Sequence, residues 1–141
     1  MIFLGVDYGS SRIGLAKSDE GGVIAFPYDT ISSKKNLRED AISIVEIAKK
    51  ITSKNIIIGM PINMNGTQSS MSLKIKQLSS KINQIYKCEI KFWDERLTTV
   101  QANRIIQDNQ TIKHRTSSID SISAALILGS YLEGKKGRKS N

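Results

Sequence analysis

Val6-Asp7-Tyr8-Gly9-Ser10-Ser11-Arg12-Ile13-Gly14-Leu15-Ala16 is the stretch on which the fold turns. The run Ile2-Phe3-Leu4-Gly5-Val6 ahead of it is apolar on both faces, which suits a central strand covered on each side. Behind it, residues 13–18 read as a second strand. An acid at the end of a buried strand, followed at once by Gly-Ser-Ser, is costly unless its charge is offset. A divalent cation, or a phosphate arriving with its metal, would offset it. An aspartate that caps the turn by accepting backbone N–H groups would fit equally well.

Working outward, residues 23–31 complete an antiparallel meander, with Asp19-Glu20-Gly21-Gly22 as the turn. Pro27 inside this third run places it at a sheet edge. Asn36 and Glu39 form a capping pair, and Leu37, Ala41, Ile44, Ala48 and Ile51 make one helical stripe. Residues 55–59 follow as a buried strand parallel to the first, because a helix supplies the crossover. A loop then spans residues 60–68, and a helix spans 69–86. Residues 89–93 form a fifth strand. Thr98 and Gln101 open another helix to about residue 108, and Ser117 and Asp120 start a last one. The expected architecture is α/β: a mixed five-stranded sheet, an antiparallel three-strand meander plus two parallel strands, with helices on both faces. That strand and helix order resembles ribonuclease H-type domains.

One domain is expected over residues 1–134, with 135–141 as a flexible basic tail. The 141 residues carry a net charge of +8, and Lys135, Lys136, Arg138 and Lys139 supply four of those charges. A basic balance favours a polyanionic partner such as nucleic acid, although a solvated tail would look the same. No apolar run is long enough to span a bilayer, and no signal peptide is evident, so the expected location is cytoplasmic. Cys88 is the only cysteine, which excludes an internal disulfide and a cysteine zinc site. It reads as a small buried hydrophobe.

The acids fall in a pattern. Trp93-Asp94-Glu95-Arg96-Leu97-Thr98-Thr99 puts two of them where the fifth strand ends, and Asp120 lies in the first turn of the final helix. Strand ends and the helix N-termini facing them form the ligand crevice of an α/β sheet. Asp7, one of Asp94 or Glu95, and Asp120 would therefore meet at one mouth. Adjacent strand residues point to opposite faces, so only one of Asp94 and Glu95 can aim inward, and the pattern leaves the choice open. Clustered carboxylates repel one another and hold protons more tightly, and divalent cations relieve that repulsion. All-oxygen ligands suit Mg²⁺ or Mn²⁺, and two such ions stabilise the attacking and leaving oxygens of a phosphodiester. Asp120 alone could simply complement its helix dipole, and Glu95 alone could pair with Arg96.

Four segments resemble a known family, the bacterial Holliday-junction-resolvase-like pre-16S rRNA nucleases. They are Gly5-Val6-Asp7-Tyr8-Gly9 through Ala16; Ile58-Gly59-Met60-Pro61-Ile62-Asn63-Met64-Asn65-Gly66; Asp94-Glu95-Arg96-Leu97-Thr98-Thr99; and Asp120-Ser121-Ile122-Ser123-Ala124-Ala125 with Ile127-Leu128. The resemblance implies a ribonuclease H-like fold and a metal-dependent nuclease maturing the 5′ end of 16S rRNA, with precursor rRNA or ribosomal subunit precursors as partners. It implies Asp7, Glu95 and Asp120 as catalytic acids and ligands of Mg²⁺ or Mn²⁺, choosing Glu95 over Asp94 by analogy. Arg12 and Arg96 match motif positions and would either hold phosphates bidentately or form an ion pair with a neighbouring acid. Lys113 and Arg115, flanking His114 in the loop before the last helix, would meet the substrate backbone, unless that loop is simply mobile and solvated. Three other readings share these features: a Holliday-junction DNA resolvase, a non-catalytic RNA-binding assembly factor, and an actin-like ATP-binding protein whose first phosphate loop resembles Asp7-Tyr8-Gly9-Ser10-Ser11.

Overall fold

The computed structural model describes residues 1–97 and 118–139. Five strands, β1 (Phe3–Tyr8), β2 (Arg12–Ser18), β3 (Ala25–Ser32), β4 (Asn55–Met60) and β5 (Glu89–Asp94), form one sheet in the order β3-β2-β1-β4-β5. The β1/β2 and β2/β3 pairs are antiparallel, and β1/β4 and β4/β5 are parallel. This is the meander-plus-parallel sheet expected from the sequence. Pro27 lies on β3 at the sheet edge, and the β2/β3 ladder slips between Leu15 and Ala16, opposite Asp29 and Pro27. A residue without an N–H forces that irregularity on an edge and would not survive in a central strand.

Helices α1 (Leu37–Lys50) and α2 (Ser70–Ile85) cover one face, and α3 (Ile119–Lys139) covers the other. Alternation along β1 divides the strand between them. Leu4, Val6 and Tyr8 join Ile44, Ala48, Ile75 and Leu78 in the core under α1 and α2. Phe3 joins Ala124, Leu128 and Tyr131 under α3. Asp7 shares the Phe3 side of the strand, so its carboxyl belongs to the α3 face.

Strand ends differ from expectation by one or two residues. β3 starts at Ala25 because the Asp19 carboxylate accepts the Val23 and Ile24 N–H groups. Three other differences have a physical reason. β1 runs past Val6 to Tyr8 because Asp7 pairs with Gly14 and Tyr8 with Ile13 in the β1/β2 ladder, so Asp7 is not the last strand residue. The cap of α3 is Ser118 instead of Ser117, its hydroxyl accepting the Ser121 N–H at 3.1 Å. The last helix also does not stop at residue 134. It continues to Lys139, with Gly134 packed beneath the Trp93 ring and the Lys135 ammonium 4.5 Å from the Phe3 ring centroid. Lys135, expected in a loose basic tail, thus lies in a helix and packs against the sheet. Cys88 is half-buried at the margin of the α1/α2 core, and burial pushes its thiol up. The expected helix from Thr98 to about residue 108, and the loop after it, lie outside the described residues.

Candidate active site

Two glycines create the room for the site. A Cβ on Gly14 would lie 1.9 Å from the Asp120 carbonyl oxygen, so β2 and the first turn of α3 are in backbone contact there. A Cβ on Gly59 would lie 2.5 Å from Ile127 Cδ1 and 2.9 Å from Glu95 Oε1. Gly14 therefore brings Asp120 down onto the sheet, and Gly59 lets the Glu95 side chain lie across the end of β4.

Glu95 arrives by a change of backbone. β5 ends at Asp94, and Glu95–Leu97 form a single 3-10 turn. The turn is pinned to α3 through Ser130, which accepts the Trp93 indole N–H at 3.0 Å and donates to the Leu97 carbonyl at 2.5 Å. Trp93 also meets Tyr131 edge-on, with ring centroids 5.6 Å apart. Ser130 is buried, and nothing in the sequence analysis singled it out. A serine between Leu128 and Leu132 on an apolar helix was the available signal, since buried polar groups require partners.

The two candidate acids of this segment have opposite surroundings. Asp94 is clasped by Arg96, whose Nε lies 3.0 Å and Nη2 2.8 Å from Oδ2, and it also accepts the Arg96 backbone N–H at 2.9 Å. The guanidinium holds the Asp94 carboxyl below its ordinary range. Glu95 instead shares a hydrogen bond with Asp7. Burial first, then the Asp7 charge and the bond to Asp7, push Glu95 up to about 7. Asp7 is also raised, by burial and by the nearby Asp120 charge, while its bond to Glu95 works the other way. The two carboxyls therefore hold one proton between them more tightly than an isolated carboxyl would. Among the described residues, Asp7 has no cation or backbone N–H as a partner.

Asp120 faces this pair but is turned to Arg12, whose Nε lies 2.8 Å from Oδ2. The Arg12 side chain is 68% exposed, so this pair is in contact with solvent. No three His, Cys, Asp or Glu side chains among the described residues are close enough to hold a metal ion as they stand. The structure brings Asp7 and Glu95 into contact and pairs Asp120 with Arg12, near enough for its charge to act on Asp7. Arg96 is engaged by Asp94 and donates at 3.4 Å to the Asn63 carbonyl. Lys113, His114 and Arg115 lie outside the described residues. Chemically, the arrangement suits a divalent cation: two half-buried carboxyls share one proton that a cation would displace, and a third carboxylate is held by an arginine with a solvent-facing side chain.

The family described as "RuvX: Holliday junction resolvase" matches residues 1–134. A protein of Protochlamydia amoebophila named as a pre-16S rRNA nuclease is 38% identical over 139 residues, covering 94% of this chain and 93% of its own. One of the same name from Ruminiclostridium cellulolyticum is 39% identical over 140 residues, covering 99% of both. Among solved structures, Thermus thermophilus RuvC in complex with a Holliday junction substrate superposes with a TM-score of 0.67 at 10% identity, over 97% of this chain and 96% of that one. This likeness establishes a common fold. No helix among the described residues is long and apolar enough to cross a membrane. With one domain's worth of matched sequence and a RuvC-like fold, the chain belongs to the RuvX Holliday junction resolvase family.

Proposed function

We propose that this protein is a cytoplasmic, divalent-metal-dependent nuclease that hydrolyses a phosphodiester bond of precursor 16S rRNA during maturation of its 5′ end. The observation that carries this reading is the Asp7–Glu95 carboxyl pair, raised in proton affinity and facing Asp120 at the mouth formed by β1, β5 and α3. Asp7, Glu95 and Asp120 are the ligands for Mg²⁺ or Mn²⁺. When bound, two such ions would stabilise charge on the attacking and leaving oxygens of the phosphodiester. Glu95 gives up the proton it shares with Asp7 as the site loads, which at a value near 7 costs little at physiological pH. Arg12 exchanges Asp120 for a phosphate oxygen, freeing that carboxylate to turn toward Asp7. The Ser130 bonds to Trp93 and Leu97 keep the Glu95 turn in register while this happens. Arg96, Lys113 and Arg115 contact the flanking backbone.

Names carried by the relatives support RNA as substrate, and the description of the family favours a second reading, cleavage of a four-way DNA junction. One experiment tests both. Wild type and Asp7→Asn are each incubated with a 16S precursor and with a DNA four-way junction, with Mn²⁺ or with chelator. Products from the precursor are expected with wild type and Mn²⁺ alone. Cleavage confined to the junction would replace the first reading by the second, and equal products from both proteins would remove the catalytic assignment.

A further inference from the structure

Outside the acidic mouth, the basic charge of α2 is unused by the proposed function. α2 carries Lys74, Lys76 and Lys81 and no acidic residue along its whole length. Two cavities open between α2 and α1. The first, about 330 Å³, is bordered by Gly9 and Ser10 of the loop after β1, by Leu37 and Met71, and by Lys35 and Lys74. The second, about 380 Å³, is bordered by Arg38, Ala41, Lys81 and Gln84. No acidic side chain lines either cavity, and none of the four cations forms an ion pair among the described residues. Asp40, on the same turn of α1 as Arg38, is fully buried and spent on other partners.

We infer that the groove between α1 and α2 is a phosphate-binding track for the RNA strand that leaves the cleavage site. Asp7 and Tyr8 are neighbours on β1 with opposite orientations, Asp7 to the acidic mouth and Tyr8 to the first cavity. A strand passing over the Gly9-Ser10 loop would therefore move from the scissile phosphate directly into the groove. Lys74 and Lys81 lie seven residues apart on α2, about 10 Å along the helix axis. That spacing matches about three steps of a stacked strand, at about 3.4 Å per charge. Leu37 and Met71 give the first cavity an apolar wall for a sugar or base, while lysine and arginine read only the backbone. The second cavity lies further along both helices, so the cations continue away from the mouth.

This inference rests on the nuclease reading for its substrate, and its test is independent of catalysis. Binding of a fluorescein-labelled RNA hairpin with a single-stranded 5′ extension is measured by anisotropy in chelator, across a series of KCl concentrations. The proteins are wild type, Lys74→Gln/Lys81→Gln, a Lys54→Gln/Lys87→Gln control of equal charge, and Asp7→Asn. The groove variant is expected to bind about tenfold more weakly at 100 mM KCl, with a salt slope shallower by about 1.4 to 1.8. The control should stay within about twofold of wild type. Unchanged affinity and slope in the groove variant, or an equal loss in the control, would overturn the inference. Circular dichroism and thermal melting of each variant exclude loss of fold as the cause. If Asp7→Asn still cleaves RNA while the groove variant loses binding, the catalytic reading fails and the track stands.

Discussion

Two acids on opposite sides of β1 live under opposite conditions. Asp40 lies on α1, fully buried, and accepts three hydrogen bonds: from the Tyr8 hydroxyl at 2.6 Å, the Ser33 hydroxyl at 2.7 Å and the Lys34 backbone N–H at 2.7 Å. Asp7, one residue before Tyr8 and facing the other way, has a second carboxyl as its hydrogen-bond partner. The first carboxylate is saturated by donors and fastens α1 and the Ser33-Lys34 turn to the sheet. The second is destabilised when ionised and gains most from a cation. The role of each acid follows from whether its neighbours donate or repel.

The largest expected effect comes from exchanging the two treatments. Asp7→Asn should lower cleavage at least about a thousandfold, as loss of a ligand and of charge at the reacting centre does, while leaving the melting temperature unchanged or raised. Asp40→Asn should do the reverse. Its amide N–H₂ would face donors, costing about 2–3 kcal/mol in urea denaturation, while cleavage per folded molecule stays within about twofold. A variant pair that failed to separate in this way would dissolve the distinction.

Next in size is Gly14→Ala. Its Cβ would meet backbone of α3 at 1.9 Å, so the helix must move. A loss of about 2–3 kcal/mol in denaturant melts is expected, with cleavage falling further because Asp120 moves with the helix.

pH sharpens the contrast further. Glu95 holds its proton in the fold up to about 7 and in the unfolded chain only to its ordinary value near 4.5. The folded form thus binds the proton more tightly, and the stabilisation this gives is complete below about pH 4.5 and lost as pH rises through about 7. In chelator, stability should fall by roughly 1–2 kcal/mol between pH 5 and pH 8, allowing for solvent screening. Glu95→Gln should flatten that slope, and Mn²⁺ should restore the wild type at pH 8 with no effect on the variant.

The smallest effect belongs to Arg12→Gln. An exposed ion pair contributes under about 0.5 kcal/mol, so melting should hardly change. RNA affinity in chelator should fall several-fold, since the exposed guanidinium is the part of the pair that reaches substrate.

The sheet was legible because its strands are short apolar runs bounded by turn residues, and periodicity reports that locally. Asp7 drew notice as an acid in an apolar strand just before a Gly-Ser turn, and Asp120 as an acid in the first turn of an apolar helix. Asp40 was not, since it follows Glu39 in a first helical turn, where acids are ordinary, and its tie to Tyr8 spans 32 residues. The choice between Asp94 and Glu95 could not be made from strand alternation. β5 ends at Asp94, and the 3-10 turn resets the direction of Glu95. The length of α3 was hidden because its final lysines look solvated. The contacts under Gly134 and Lys135 come from Trp93 and Phe3, far away in the chain.

The most direct test of the Asp7–Glu95 pair is a crystal of the protein soaked in Mn²⁺ near pH 7.5, with anomalous scattering used to place the ion. The expected result is a peak within coordination distance of both carboxyls, with Asp120 turned away from Arg12 toward it. No peak there, with Asp7 and Glu95 still sharing their proton, would contradict it.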